Sequence, residues 1–275
     1  MNPIKKRIWK IAQYSLNKLG IHALLEKKGY HYVQWEPGYH YVPDYYGRSA
    51  HKQIDIRSID AFTYLADKVI KAEKTLHYYD RLYVIYQALS HISRIPKPDL
   101  LNPTNLAEVG VYKGGTSYFI ASAAEALGID SYCMHCFDTF QGHLDEDIRA
   151  DVDDNTFHKE KLFGDTLFET VSNYLSDFKA TRLHKGRFQD TCAQINSEKF
   201  YFVHIDVDLY SPIIFSLNFF KDRLIAGGII VVDDYGFTTC PGAKQAVDEF
   251  IQDSGQSFFP LYLLTGQCLL VKYHQ

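Results

Sequence analysis

Two short acidic clusters dominate the chemistry available to this 275-residue chain. His204-Ile205-Asp206-Val207-Asp208 ends one apolar run of strand length, and Val231-Val232-Asp233-Asp234-Tyr235 ends another. If the two strands run in the same direction, four carboxylates meet at one edge and repel one another. Left unpaired, at least one would be pushed to a raised pKa, and a bound cation is the simplest resolution. Oxygen donors with no cysteine among them suit a hard ion, magnesium or else manganese. Such an ion makes a hydroxyl a better nucleophile by lowering its pKa, and a neighbouring carboxylate then accepts the proton. Asp206, Asp233 and Asp234 are the expected metal ligands, which leaves Asp208 as the expected general base. His204 and His184 are expected to be packed or hydrogen-bonded rather than catalytic. Acids that merely cap helices are the plainer alternative for the whole set.

A second cluster lies upstream. Leu106-Ala107-Glu108-Val109-Gly110-Val111-Tyr112-Lys113-Gly114-Gly115-Thr116 follows a predicted strand and opens a predicted helix, the place where a doubly wound sheet holds a nucleotide-like ligand. In the dinucleotide fingerprint the second glycine admits the pyrophosphate; Tyr112 stands there instead, so a ligand without pyrophosphate fits better. S-adenosylmethionine is such a ligand. Glu108 can meet its ammonium or orient the loop, and Gly110, Tyr112, Gly114 and Thr116 form the expected turn around it. Asp138 of Phe137-Asp138-Thr139-Phe140 ends the second strand at the interval expected of a ribose-binding carboxylate, with Thr139 and Phe140 beside it. After the third strand, Phe188 offers a ring for adenine and Gln189 and Asp190 polar groups for its edge. Asp138 and Asp190 also read as helix caps.

The elements that must position these residues follow from periodicity. From residue 105 onward, short apolar runs at 105–111, 132–137, 181–185, 200–206 and 228–232 alternate with amphipathic segments near 116–127, 166–178, 211–223 and 242–253. That alternation predicts an α/β fold, a doubly wound, mostly parallel sheet covered by helices on both faces. Phe258 to Leu264 and Cys268 to Tyr273 flank Thr265-Gly266-Gln267, so the last strand should run antiparallel at or near the end of the sheet. The first hundred residues differ: Tyr-rich, irregular between Gly29 and Arg48, and closed by Ile95-Pro96-Lys97-Pro98-Asp99. We therefore divide the chain into an N-terminal helical and irregular extension, 1–98, and a main domain, 99–275. Helices are expected at 58–74 and 78–93, and a basic amphipathic helix at 4–19 that can pack on its own domain, dock on a second subunit or rest on an anionic membrane surface.

Composition excludes several classes. With 29 Lys and Arg against 33 Asp and Glu, well mixed after the first twenty residues, no extended basic surface suggests a nucleic-acid partner. Five scattered cysteines do not make a disulfide framework, nor do Cys133 and Cys136, within one apolar run, make a metal or redox pair. With no signal peptide and no apolar run of the roughly 20 residues that span a bilayer, a cytoplasmic enzyme is expected. No G-x-S-x-G, H-E-x-x-H or P-loop lysine supports a hydrolase, metalloprotease or kinase.

Glu108-Val-Gly-Val-Tyr-Lys-Gly-Gly115, Phe137-Asp-Thr-Phe140, Gly186-Arg-Phe-Gln-Asp-Thr191, His204-Ile-Asp-Val-Asp-Leu-Tyr210 and Asp233-Asp-Tyr-Gly-Phe-Thr-Thr-Cys-Pro-Gly-Ala243 together resemble the macrocin O-methyltransferase (TylF) family. The likeness covers roughly residues 78 to 273, from Tyr79-Asp80-Arg81 onward. It implies a seven-stranded Rossmann-like class I methyltransferase fold and methylation of sugar hydroxyls on antibiotics and related glycans. It also implies magnesium at Asp206, Asp233 and Asp234, Asp208 as base, and a mobile lid after Phe140. The arrangement resembles that of catechol O-methyltransferases as well, so a small phenolic acceptor is the alternative within the same class. In a different class, Asp206-Val-Asp208 reads as the D-x-D of a metal-dependent glycosyltransferase. The chain departs from the family pattern in its lid, where Gln141-Gly142-His143-Leu144 begins an acid-rich stretch, and residues 1 to 77 match nothing. A homo-oligomer is expected, a dimer built through the N-terminal helices.

Overall fold

The computed structural model of the chain describes residues 30–35, 38–43, 56–96, 102–154 and 157–273, with the backbone alone for 30–43. The helix expected at 4–19 and the boundary expected near residue 98 lie outside the described residues. Two compact units are present, Met1–Ser58 and Ile59–Gln275.

In the first unit, β1 (Tyr30–Trp35) pairs antiparallel with β2 (Gly38–Pro43), Tyr30 opposite Pro43 and Trp35 opposite Gly38. The stretch expected to be irregular thus contains a hairpin. Its aromatic and β-branched residues, Tyr, His, Val and Trp in alternation, favour extended backbone.

The second unit begins with α1 (Asp60–Ile70) and α2 (Tyr79–Ile92), close to the helices expected from periodicity. Each buries an apolar stripe, Phe62, Leu65, Ala66 and Val69 in α1 and Leu82, Ile85, Leu89 and Ile92 in α2. Residues 59–96, grouped by sequence with the extension, therefore share the compact unit of the sheet. Next come β3 (Thr104–Val109), α3 (Gly115–Ala126), β4 (Tyr132–Asp138), α4 (Phe168–Tyr174) and β5 (Thr181–Lys185). After a helical turn at Phe188–Thr191 follow β6 (Phe200–Ile205), α5 (Tyr210–Lys221), β7 (Leu224–Val232) and α6 (Pro241–Asp253). The chain closes with β8 (Phe258–Tyr262) and β9 (Cys268–Lys272).

These strands form one seven-stranded sheet in the order β5-β4-β3-β6-β7-β9-β8. The first five run parallel, and β9 pairs antiparallel with both β7 and β8. The reversal of order between β3 and β6 creates the switch point at which such sheets bind ligands, outside the carboxyl ends of the strands. Ala107, Val109, Val203, Ile205, Ile230 and Val232 share one core with Ile213 and Leu217 of α5 and Val247 and Phe250 of α6. Because side chains alternate along a strand, Leu106, Glu108, Phe202 and His204 turn to the other face, where Glu108 meets Ser117 of α3. Among the described residues no helix is long and apolar enough to cross a membrane.

Candidate active site

The cleft opens at the switch point, and its first wall is main chain. Gly110 follows β3 at φ +93°, and a Cβ there would collide with the carbonyl of Asp206, so the turn after β3 can pass the tip of β6 only as glycine. Tyr112 also takes a left-handed conformation, φ 50°. Asp138 holds this backbone in place. Its Oδ2 accepts the N–H groups of Val111 at 2.7 Å and Tyr112 at 2.8 Å, and its Oδ1 that of Phe140 at 2.6 Å. Burial pushes its carboxyl up, against the pull of those three amides. A carboxylate offers about four lone-pair sites, so Asp138 shapes the turn and retains acceptor capacity toward the cleft.

The second wall is built from charges. Asp206 and Asp208 follow β6, and Asp234 follows β7; all three line the cleft. Asp233 does not. It is fully buried, ion-paired with Arg81, and its Oδ1 accepts from Gln267 Nε2 at 2.7 Å. His77 Nε2 stands between two carboxylates, 3.2 Å from Asp233 and 3.3 Å from Asp206. The other side of that ring, Nδ1, lies 3.1 Å from the hydroxyl of Thr116. Arg81 also reaches Asp234, at 3.3 Å. Burial, reinforced by the charges of Asp208 and Asp206, raises Asp234 well above the usual carboxylate range. Burial also acts on Asp206, but the hydrogen bond and charge of His77, with the charges of His204 and Arg81, outweigh it and hold Asp206 low. Asp208 sits at φ 60°, a conformation that non-glycine residues adopt at a cost.

The donor set fits a hard divalent cation. Asp206, Asp233 and Asp234 bring one oxygen each within 4.8 Å of one another, and Oδ2 of Asp234 is buried with no hydrogen-bond partner. An orphaned carboxylate oxygen among like charges is what a cation would satisfy.

Of the expected cofactor residues, Gly110, Tyr112 and Thr116 line the cleft, as do Asp138, Thr139, Phe188 and Gln189. Glu108 is fully buried beneath the turn, its oxygens taken by the Ser117 hydroxyl and by His204 Nδ1 at 3.1 Å. Of the two roles the sequence allowed it, this geometry matches orienting the loop. Gly114 is the left-handed N-cap of α3 against Val171, and Phe140 packs edge-on against Phe168. Phe188 has its ring against Phe137, Phe219 and Phe220, and Asp190 is exposed outside the cleft. His204 and His184 are packed as expected: His204 is buried on Glu108, and His184 stacks on Phe137 with ring centroids 4.3 Å apart.

Sequence reasoning missed His77, Arg81, His143 and Gln267. Tyr79-Asp80-Arg81 marked only where the resemblance begins, and Gln267 read only as part of a turn. Neither residue stands in a motif that carries chemistry by itself; each becomes visible only once the fold carries it to Asp233.

Residues 81–258 match the model of the macrocin-O-methyltransferase (TylF) family. The chain belongs to the TylF family. It is 27% identical over 154 residues to demethyldecarbamoylnovobiocin O-methyltransferase of Streptomyces niveus, covering 54% of this chain and 58% of that protein. It is also 27% identical over 149 residues to 8-demethyl-8-(2,3-dimethoxy-alpha-L-rhamnosyl)-tetracenomycin-C 4'-O-methyltransferase of Streptomyces olivaceus, covering 51% and 56%. The chain thus matches less than two thirds of the length of these TylF-like relatives. The solved structure of the O-methyltransferase NovP shares the fold, with a TM-score of 0.62 and 22% identity over 74% of this chain and 83% of that one. Neither the TylF family nor this fold supports the glycosyltransferase reading of Asp206-Val-Asp208.

Proposed function

We propose that this chain transfers a methyl group from S-adenosylmethionine to a hydroxyl of a sugar or glycosylated metabolite, assisted by magnesium or manganese. The observation that carries the reading is the meeting, in one cleft, of a glycine turn held by Asp138 with three carboxylates from the ends of β6 and β7. Membership of the TylF family supports the reaction, and the rhamnosyl group in one relative's name supports the acceptor class.

In this reading the Gly110 turn and Asp138 seat the cofactor, with the remaining lone pairs of Asp138 toward its ribose and Gln189 toward its base. The ion, held by Asp206, Asp233 and Asp234, supplies Lewis acidity that makes the acceptor hydroxyl easier to deprotonate. Asp208 takes the hydroxyl proton. His77 and Arg81 pair with Asp233, and their charges help hold Asp206 low. Leu144, Phe157 and Phe163 supply an apolar wall that excludes water. Free cysteines at all five positions fit a reducing compartment, the cytoplasm. Phe157, 48% exposed, and Leu76, 62% exposed, border the mouth through which an acceptor enters.

The test is a labelled-methyl transfer screen across sugar nucleotides, glycosylated small molecules and catechols, with magnesium and with chelator. Transfer to a sugar hydroxyl that chelator abolishes is expected. Transfer only to the catechols moves the acceptor class, undiminished transfer in chelator removes the metal from the reading, and absence of S-adenosylmethionine binding by calorimetry overturns it.

A further inference from the structure

The lid brings one side chain to the expected base that neither the reaction nor the metal site accounts for. His143 belongs to Gln141-Gly142-His143-Leu144, the stretch in which the chain departs from the pattern it resembles. Its ring is more than nine-tenths buried and lines the cleft. Its Nε2 lies 3.1 Å from Oδ2 of Asp208. A carboxylate accepts, so Nε2 carries the hydrogen. Nδ1 is buried and has no hydrogen-bond partner. The ring leaves one polar atom unsatisfied and keeps its N–H on Asp208, a cost that an idle packing residue would not retain.

Asp208 needs such support. Its backbone is in a left-handed conformation, and its other oxygen, Oδ1, receives only the weak thiol donor of Cys240 at 3.7 Å. Among the described residues no other strong donor reaches its carboxylate, whereas Asp233 has Arg81 and Gln267.

The lid is also built to hold His143 in place. The backbone N–H of His143 donates to Leu162 at 2.9 Å, and its carbonyl accepts from Lys161 at 2.8 Å, which ties the two limbs of the lid together. Three anchors fix the lid to the loops around Asp208. Arg187 pairs with Asp147 at 2.6 Å, the carboxylate of Asp153 accepts the N–H of Tyr210 at 2.9 Å, and His158 Nε2 meets the carbonyl of Thr239 at 2.8 Å. A Cβ on Gly242 would strike Asp153, so that anchor depends on a glycine opposite it.

We infer that His143 is the positioning residue of Asp208: its Nε2–H fixes the carboxylate in the orientation that accepts the hydroxyl proton, so the base is complete only when the lid is seated. The inference rests on the methyl-transfer reading, and it makes lid seating a condition of chemistry rather than of cofactor binding.

The test uses the full chain and the acceptor found in the screen. His143→Ala should lower kcat by about 10- to 100-fold, the scale of losing the partner that orients a functional side chain, with KM for S-adenosylmethionine within about twofold. His143→Gln, whose side-chain amide can donate to Asp208, should recover kcat to within about threefold of the parent, and His143→Leu should not. Unchanged kcat in His143→Ala, or a Gln variant as slow as the Leu variant, overturns the inference. A second readout needs no turnover. Nitrogen-15 spectra of the histidine-labelled protein, assigned with the Gln variant, should show His143 protonated at Nε2 with Nδ1 bare, and Asp208→Leu, which removes the acceptor, should abolish that preference. An Nδ1–H ring in the parent overturns the pairing. If no acceptor is ever methylated while the Nε2–H ring is present, the functional reading fails and the pairing stands.

Discussion

The two walls of the cleft are made of different materials. The β3–β4 wall is main chain: a glycine where no Cβ fits, a tyrosine at positive φ, and one aspartate whose oxygens hold three amides. The β6–β7 wall is side-chain charge, three aspartates at the cleft with Asp233 buried behind them, and His77, Arg81, Gln267 and His143 reach these carboxylates from distant parts of the chain. A wall of main chain fails as a shape, whereas a wall of charges can lose its function and keep its fold. The largest expected effect breaks the first wall. Gly110→Ala must move the tip of β6 or abandon a left-handed turn, and should cost about 4 kcal/mol or more. Urea unfolding would then show little or no folded protein. A variant with normal stability would mean that the turn is not locked against β6.

On the second wall, Asp208→Asn keeps the shape and removes the carboxylate proposed to accept the proton. It should lower kcat by about 10²- to 10⁴-fold, with calorimetric affinity for S-adenosylmethionine unchanged. A loss of cofactor affinity instead would join the two walls into one unit and dissolve the contrast between them.

The same contrast explains what could be read from sequence. Every strand of the sheet, the glycine turn and both acidic clusters were legible, because Glu108 to Gly115, Asp206 to Asp208 and Asp233 to Asp234 are contiguous and lie at the ends of apolar runs of strand length. The antiparallel end of the sheet was legible from Thr265-Gly266-Gln267. The contributions of His77, Arg81, Gln267 and His143 were not, since each is a lone polar residue in a helix connection, a helix, a turn or a lid. Only the packing of 73–81 beside α3 and the folding of the lid over β6 give them partners. The hairpin at 30–43 was missed for a different reason: Tyr and His repeat through it without the apolar alternation that marks a buried strand. Glu108 shows the converse: a motif residue legible in the sequence that the fold buries beneath the turn, where its geometry matches the loop-orienting role of the two it was given.

A variant that separates function from fold within the charged wall is Asp234→Asn. Burial and the charges of Asp208 and Asp206 raise the carboxyl of Asp234, so its ionised form opposes folding at neutral pH. The isosteric amide removes that penalty and should raise stability in chelator, read as a higher melting temperature. In the proposed ion site, magnesium should stabilise the parent and not this variant. Calorimetric scans with and without magnesium check both. A lower melting temperature in chelator would show that the ion pair with Arg81 outweighs the repulsion.

The smallest expected effect is a difference in sign between the two halves of the sheet. Under the β3–β4 wall, His135 of β4 lies 3.2 Å from His184 of β5, and both are depressed. Burial, with the charges of His184 and Arg182, brings His135 down to about 4. A depressed histidine folds as the neutral ring, so its contribution is intact above its ordinary value of about 6.5 and is lost as the pH falls from there toward about 4. Asp234 works in the opposite direction: its folded carboxyl is raised, so the penalty is present at neutral pH and relieved as the pH falls through its folded value. In chelator, therefore, Asp234→Asn should make stability fall more steeply between pH 6.5 and 4, because the compensating carboxyl is gone, whereas His135→Gln should make it fall less. After discounting for partial burial, the change for His135→Gln should amount to about 1 kcal/mol over the window, and that for Asp234→Asn is read by its sign. Urea titrations at half-unit pH intervals resolve a change of that size. Parallel shifts of the two variants in the same direction would show that the charges of the two halves are coupled through the sheet, and the division of the cleft into a wall of shape and a wall of charge would have to be given up.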